Sequence, residues 1–573
     1  MRPRAAAVLF APLLPFTAML LSPAPARAEE QVDLAVVHKI KQEAFRNGAV
    51  MDHLFFLTDV NGPRLTASPG FRKAADWSVR SLKGWGLGDA RLEVWGPFGR
   101  SWTVTRYAVN LREPGYAPLG GIPKAWSSGT AGPVTAEVVS APIYSAVELV
   151  RGVSDDIEQL TARIKSYTEA QKGKLKGKIV LIVPPRELEP PTKPVTERYG
   201  DETLTQMAQS PVPFVPPAFE WPITRLPEDL KKREQLWAAL PSEVHEDYWE
   251  RWGKAFGALN AFLKDEGVVA VLTTDTRGDG GIVFAEEAGS WQAGLPTPPP
   301  VIALSPEPYD RLSRLVEKKI PVKVEVDVGV DSPDTTLDGV NVIAEIPGGR
   351  KKDEIVMLGA HLDSWHAGTG ATDNAAGCAV ALEAIRILKT LNLGMDRTVR
   401  LALWSGEEQG LFGSRRYVKT HFGDPLTMAL KPEHARLAGY FNVDNGSGKI
   451  RGVYLQGNDM VRPIFEAWLA PFHDLGAGTM TIDVTTGTDH LSFDDVGLPG
   501  FQFIQDPLDY ETRTHHSNLD VYDHLQAGDL MQASAILASF VYNAATRPEM
   551  LPRKPLPKPL PQASPSGRSS PKP

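Results

Sequence analysis

The sequence predicts an α/β fold: a mixed, mostly parallel sheet flanked by helices, with an inserted smaller β-rich unit. Two observations carry that prediction. Apolar runs of strand composition, Ile355–Leu358 and Val399–Trp404, are separated by a segment of helical character from about Asn374 to Leu391. Each run gives way to a short polar stretch with ligand-type side chains: His361 and Asp363 after the first, Glu407 and Glu408 after the second. In open α/β sheets, sites form at the carboxyl ends of the strands.

Length and composition narrow the class. A chain of 573 residues is longer than one core usually needs, so two domains are expected. A hydrophobic content of 42% and a charged content of 23% are those of a globular protein. A net charge of −8 and the lack of a basic stripe argue against nucleic acid as a partner. The 50 glycines and 49 prolines imply many turns and loops.

Residues 1–28 read as a signal peptide. Arg2 and Arg4 open it, an apolar stretch AAAVLFAPLLPFTAMLL comes next, and Ala26-Arg27-Ala28 has the small-x-small form of a cleavage site. The stretch is short and broken by proline, which favours export, periplasmic or secreted, over a membrane anchor. No later segment is apolar for long enough to imply stable membrane insertion after cleavage. The single cysteine, Cys378, cannot form an internal disulfide and reads as a packed core residue.

Residues 29–125 read as a first α/β segment. Gln31 to Asn47 and Ala67 to Leu87 have helical periodicity, and strand-like runs lie beyond them near Ala90–Val94 and Trp102–Val109. It offers few ligand-type residues and is expected to be scaffold. Residues 126–335 read as a second domain, with buried-strand candidates at Gly177–Val183 and Val268–Thr274. Glu307 and Asp310 near its end are expected to be surface charges. A long Pro- and charge-rich piece, about 184–265, interrupts it. Inside that piece Tyr248, Trp249, Trp252, Phe256, Leu259, Phe262 and Leu263 fall at helical spacing. An amphipathic helix packed on the body is the plainer reading, a lid or substrate wall the sharper one. Residues 336–548 carry the chemistry. Residues 549–573 are too rich in Pro, Ser and Lys to bury a core and are expected to be disordered.

The ligand-type residues form a set. Asp373 comes after His361 across one Gly/Thr-rich loop, and a carboxylate has two oxygens with which to touch two ions. Asp363, two residues after His361, points to the same side of an extended strand end and could accept the second imidazole N–H. Glu407 and Glu408 would repel each other unless a cation or different tasks separate them. Alone the pair would read as a solvated helix start; here it succeeds a buried run and precedes Gly410 and Gly413. Asp444 ends the run Leu437–Val443, and His515-His516 lie beyond the run Phe501–Gln505. His361, Asp373, Glu408, Asp444 and one of the two histidines suit a pair of zinc ions.

These motifs, HLDSWHAGTGATDNAAG, WSGEEQGLFGS, NVDNGSG and RTHHSNLD, resemble those of the co-catalytic zinc exopeptidases. That family includes bacterial leucyl aminopeptidases, carboxypeptidase Q and the glutamate carboxypeptidase II/transferrin-receptor branch. PRLTASPGFRKAADW resembles its N-terminal segment, and residues 126–335 resemble its inserted protease-associated domain. The resemblance implies the zinc-peptidase (phosphorylase/hydrolase-like) fold and two Zn²⁺ per subunit. It implies one ion on His361 and Asp444, the other on Glu408 and His516, and Asp373 between them. His516 rather than His515 is implied because Asp520 stands four residues after it. Glu407 is implied as general base and then acid, with Asp363 orienting His361. His515 could stabilise the oxyanion, with Tyr510 competing for that part, and Thr488-Asp489-His490 is expected to play a supporting role.

The function implied by the resemblance is that of a metallo-exopeptidase acting on peptides or dipeptides. Aminopeptidase activity is the first expectation on family frequency. The HLDSW and THHS segments look closer to carboxypeptidase Q, which makes a carboxypeptidase or dipeptidase the alternative. A glutaminyl-cyclase-like or other non-peptide amide hydrolase, and a receptor-like protein without catalysis, are remoter readings. A homodimer is left open.

Overall fold

The computed structural model describes residues 30–145, 156–186, 192, 194–213 and 221–559, except positions 228, 230, 231, 234, 235, 238 and 239. The expected signal peptide, residues 1–28, lies outside the described residues.

Two eight-stranded sheets organise the chain. The first runs in the order Arg91–Gly99, Leu337–Ile346, Arg397–Trp404, Lys351–His361, Leu437–Asn442, Gly500–Gln505, Ile450–Tyr454, Thr479–Thr481. Its four central strands, Arg397–Trp404 to Gly500–Gln505 in that order, are mutually parallel, and antiparallel neighbours lie outside them. Alternation along Lys351–His361 explains why it is buried on both faces. Val356, Leu358 and Ala360 enter the large core under the helices Leu34–Arg46, Ala376–Thr390 and Ala527–Thr546. Ile355 and Met357 enter a second core with Trp404, Tyr417 and Tyr440 on the opposite face. The sheet is therefore covered by helices on both sides, and the carboxyl ends of its parallel strands share one edge.

The second sheet takes the order Ala117–Pro118, Thr103–Glu113, Lys323–Asp331, Val134–Ser140, Ile179–Leu181, Ala270–Thr273, Val301–Leu304, Gly121–Pro123. The chain leaves the first sheet after Gly99 and rejoins it at Leu337, and these two residues face each other in an antiparallel ladder. The strand Thr103–Glu113 pairs with Lys323–Asp331, so the second unit begins upstream of residue 126, where composition had placed its start. Nor is this unit chiefly β. Val134–Ser140, Ile179–Leu181, Ala270–Thr273 and Val301–Leu304 are mutually parallel. Parallel neighbours need crossover connections, which here include the helices Ile157–Gln171 and Ser242–Asp265.

Two other expectations change. Asp310 is buried and accepts the Arg186 N–H at 3.1 Å, whereas Glu307 is exposed as expected. The start of the tail is packed. Leu551 lies in the main core, Arg553 donates to the carbonyls of His434 and Leu437, and Lys554 pairs with Asp494. Pro-rich chain needs no regular structure of its own when its few apolar and cationic side chains find partners on the body. The helix Ser242–Asp265 packs Leu259 and Leu263 on the second unit, but its first turn reaches the first: Glu246 pairs with Arg415 at 2.8 Å. Upstream, Glu197 N donates to Leu508 O and Arg198 pairs with Asp506. The long insertion thus touches the catalytic body at two separated places.

Candidate metal centre

The shared strand edge gathers every candidate ligand. His361 is the last residue of its strand, Glu407 and Glu408 come just after the strand ending at Trp404, and Asp444 lies two residues past Asn442. His516 sits on the loop after Gly500–Gln505. Asp373 is presented by the tight turn Ala371–Ala375 that opens the helix Ala376–Thr390, and its peptide bond to Asn374 is cis. The expected helix start near Asn374 therefore falls inside this turn.

Distances give the arrangement. His361 Nε2 lies 3.3 Å from Asp373 Oδ1 and 3.3 Å from Asp444 Oδ1. His516 Nε2 lies 3.2 Å from Asp373 Oδ2 and 3.2 Å from Glu408 Oε2. Each oxygen of Asp373 thus faces a different imidazole. Zinc bonds of about 2.0–2.1 Å set at tetrahedral angles separate the ligand atoms by roughly 3.3–3.4 Å. The four observed separations match that edge. Ligand atoms of His361, Asp373 and Glu408, of His361, Glu407 and Asp444, and of Asp373, His515 and His516 fall within 4.8 Å of one another. His515 stands further off, with Nε2 3.7 Å from Asp373 Oδ2, and its ring packs on His516 and Tyr510.

The electrostatics ask for cations. Asp363, Asp373, Glu407, Glu408 and Asp444 crowd the buried His361 and the partly exposed His516, and buried carboxylates need pairing. Burial alone would push the His361 imidazole down, but Asp444 and Glu407 outweigh it and hold it well above its ordinary range. Burial likewise opposes the Asp373 carboxylate, yet its hydrogen bonds to His361 and His516 keep it well below its ordinary range. Glu408 is pushed up to about 8, by burial first and by the charge of Asp373 second. Burial drives Glu407 up as well, reinforced by Asp444, Asp489 and Glu408 against the pull of His361. Without ions, the imidazolium protons carry the positive charge that these carboxylates require. The donor set, two nitrogens and several carboxylate oxygens, suits zinc.

Asp363 differs from expectation. Its Oδ1 is 3.8 Å from His361 Nδ1, too far for a hydrogen bond, and the ring nitrogen instead lies 3.1 Å from the Asp363 carbonyl. The carboxylate spends its other oxygen on the Thr66 hydroxyl at 2.8 Å and the Glu408 N–H at 3.3 Å. Thr488 accepts from Asn442, and His490 contacts Thr485 O and Gln456. Asp489 is fully buried, and burial pushes it up to about 8. Cys378 is buried, its thiol 3.0 Å from the His361 carbonyl, and burial pushes it up to about 12.

Three residues that sequence reasoning left out shape the site. Arg64 is fully buried and donates to the carbonyls of Leu57, Leu362, Thr369 and Gly370, tying the N-terminal segment to the loop that carries Asp373. Asp520 binds the Thr372 and Asp373 amides. Glu286, from the second unit, contacts His516 Nδ1 at 2.6 Å. Asp520 left a trace as the acid four residues after His516, and Arg64 as part of PRLTASPGFRKAADW.

Known proteins resemble this chain in sequence and fold. Residues 341–541 match the model of peptidase family M28. Carboxypeptidase Q of Bos taurus is 31% identical over 264 residues, 46% of this chain and 53% of that protein, so the chain spans about half the length of the curated relatives it matches. A peptidase M28 precursor from Shewanella amazonensis superposes with a TM-score of 0.61 at 23% identity, covering 91% of this chain and 98% of that one. BSAP, a zinc aminopeptidase from Bacillus subtilis, superposes with a TM-score of 0.52 at 18% identity, covering 88% of this chain and 96% of that one. At those identities the two structures establish the fold.

Proposed function

We propose, on the match of residues 341–541 to the model of peptidase family M28, that this chain is a zinc-dependent exopeptidase. One observation carries the reading: Asp373 turns one oxygen to His361 and the other to His516, each pair at 3.2–3.3 Å. Two Zn²⁺ would be held there, one by His361 and Asp444, the other by His516 and Glu408, with Asp373 shared. Bound in this cluster, zinc would supply an acidic water and draw electron density from the scissile carbonyl.

The chain's own residues do the rest. Glu407 is nearly buried beside the cluster, with Oε2 3.9 Å from His361 Nε2. Its raised proton affinity suits a group that takes a proton near neutral pH and returns it to the leaving nitrogen. Trp365 N donates to Glu408 Oε1 at 3.0 Å and fixes that carboxylate for its ion. His515, packed between Tyr510 and His516, is placed to donate to the developing oxyanion, and Asp363 supports the strand end through Thr66.

The charge around the site supports recognition of a free N-terminal amine, hence an aminopeptidase. Carboxylates dominate; among the cations around the site, Arg277 and Arg513 are paired with Asp275 and Asp279, Arg64 donates to backbone carbonyls, and Lys124 acts on Glu286. The second reading, a carboxypeptidase Q-like dipeptidase or carboxypeptidase, is favoured by the 31% identity to that protein. The second unit is read as a protease-associated-like domain, and the Arg-led apolar start as a signal for export to the periplasm or beyond.

The test is a substrate panel on zinc-loaded protein: free peptides, N-blocked peptides and C-blocked peptides. Cleavage that requires a free amine and tolerates a blocked C-terminus supports the aminopeptidase. Cleavage of N-blocked peptides with a free C-terminus moves the assignment to a carboxypeptidase. Failure on all peptides, or zinc analysis giving no pair of ions, ends the proposal.

A further inference from the structure

The carboxylate that meets the outer nitrogen of His516 comes from outside the first sheet. Glu286 lies in the second unit, between the strands Ala270–Thr273 and Val301–Leu304, and its Oε1 is 2.6 Å from His516 Nδ1. Around this contact the main chains of the two units pair. Ala285 N donates to His516 O at 3.1 Å, Asn518 N donates to Val283 O at 3.0 Å, and Phe284 and Ser517 form an antiparallel bridge. Asn518 Oδ1 accepts the Val283 N–H at 2.8 Å. Val283, Phe284 and Ala285 are buried, so the strip is anchored in its own unit. His516 itself has φ +62°, a left-handed conformation that costs a residue with a β-carbon and persists only where surrounding structure enforces it.

We propose that Glu286 is a positioning residue for the His516 imidazole, so that the second unit completes the ion site formed by His516, Glu408 and Asp373. This rests on the two-ion reading above. An imidazole can offer Nε2 to an ion while neutral only when Nδ1 carries the proton, and that proton needs an acceptor. A carboxylate acceptor fixes the ring and strengthens Nε2 as a donor. Nε2 of His516 points the right way, 3.2 Å from both Asp373 Oδ2 and Glu408 Oε2. The other imidazole is held differently: His361 Nδ1 meets the carbonyl of Asp363 on its own strand end at 3.1 Å. One half of the centre is therefore built entirely by the first unit, and the other depends on the docked second unit. Ion affinity on the His516 side is coupled to that docking.

The test uses full-length protein in two measurements. In zinc-loaded protein labelled with ¹⁵N-histidine, wild type should show a hydrogen-bonded His516 Nδ1 proton protected from exchange, and Glu286→Ala should lose that signature while the His361 signals stay. In zinc titrations against a competing chelator, Glu286→Ala should weaken one of the two ions by about 10–100-fold, the range for loss of such an outer partner, and leave the other within about twofold. Glu286→Gln keeps an acceptor oxygen and should recover the Nδ1 proton and part of the affinity. Unchanged histidine signals in Glu286→Ala, or unchanged affinity for both ions, would overturn the proposal. A wild-type protein that binds one ion only defeats the two-ion reading, while the nitrogen signals still decide whether Glu286 holds the ring.

Discussion

Asp520 binds the main-chain N–H of Asp373 through Oδ2 at 3.2 Å, while its Oδ1 takes the Thr372 hydroxyl at 2.8 Å. The residue facing both imidazoles is thus fixed through its backbone by an acid that touches neither of them. Removing the acid leaves buried donors without partners, a loss of about 1–3 kcal/mol per orphaned group. Asp520→Ala should lower the unfolding free energy of the apoprotein by at least that much and weaken both ions together. Urea denaturation and equilibrium dialysis measure the two effects. Full retention of both would show that the turn Ala371–Ala375 holds Asp373 unaided.

Glu407→Gln keeps the size of the side chain and abolishes its proton transfer. The variant should retain bound zinc and lose on the order of 10²–10⁴ in kcat, the range for general acid–base catalysis. Metal analysis beside steady-state kinetics separates this from a ligand role. A variant that loses an ion instead would make Glu407 a ligand, as its closeness to His361 and Asp444 would allow.

Stability should fall in mild acid, in part because of His490. This imidazole is fully buried and burial pushes it down to about 3, whereas an unfolded histidine takes its proton near pH ~6.5. Between those values the unfolded chain holds a proton that the folded chain does not. The stabilisation is whole above pH ~6.5 and drains as pH falls, at about 1.4 kcal/mol per pH unit from this residue. His490→Gln removes that dependence. The stability difference between wild type and variant, tracked by urea denaturation from pH ~7.5 to ~5, should shift in the variant's favour with that slope. A constant difference would mean that His490 is already charged in the fold.

Leu551 is 3% exposed and sits against the strand Leu437–Asn442, where a β-carbon on Gly439 would come within 2.8 Å of its Cδ1. Leu551→Ala should cost about 2–5 kcal/mol, as for other large-to-small changes in a core. Thermal or chemical unfolding checks it, and a change below about 0.5 kcal/mol would return this stretch to the status of a loose tail.

What the sequence reveals of the fold and the site depends on distance along the chain. Strands such as Lys351–His361 and Arg397–Trp404 are legible because uninterrupted apolar runs imply burial on both faces. The ligand-type residues are legible because each stands just beyond such a run. Partners separated by hundreds of residues leave no periodic mark. Arg64 satisfies carbonyls near residue 370, and Glu286 meets His516 across units, yet each looks ordinary among its neighbours in sequence. Composition misleads at the other end: proline and lysine in LPRKPLPK suggest a solvated tail, but Leu551, Arg553 and Lys554 each find a specific seat. Asp310 is misplaced for a related reason, since its partner is the distant Arg186, through both its backbone N–H at 3.1 Å and its guanidinium at 3.8 Å.

The facing residues Gly99 and Leu337 form a narrow neck through which the whole second unit departs and returns. Closing a slack loop of that span costs on the order of 5 kcal/mol, and a compact second unit that already holds its two ends together removes most of that cost. Closure of the first sheet at this neck and the seating of Glu286 beside His516 therefore both draw on the folding of the one excursion.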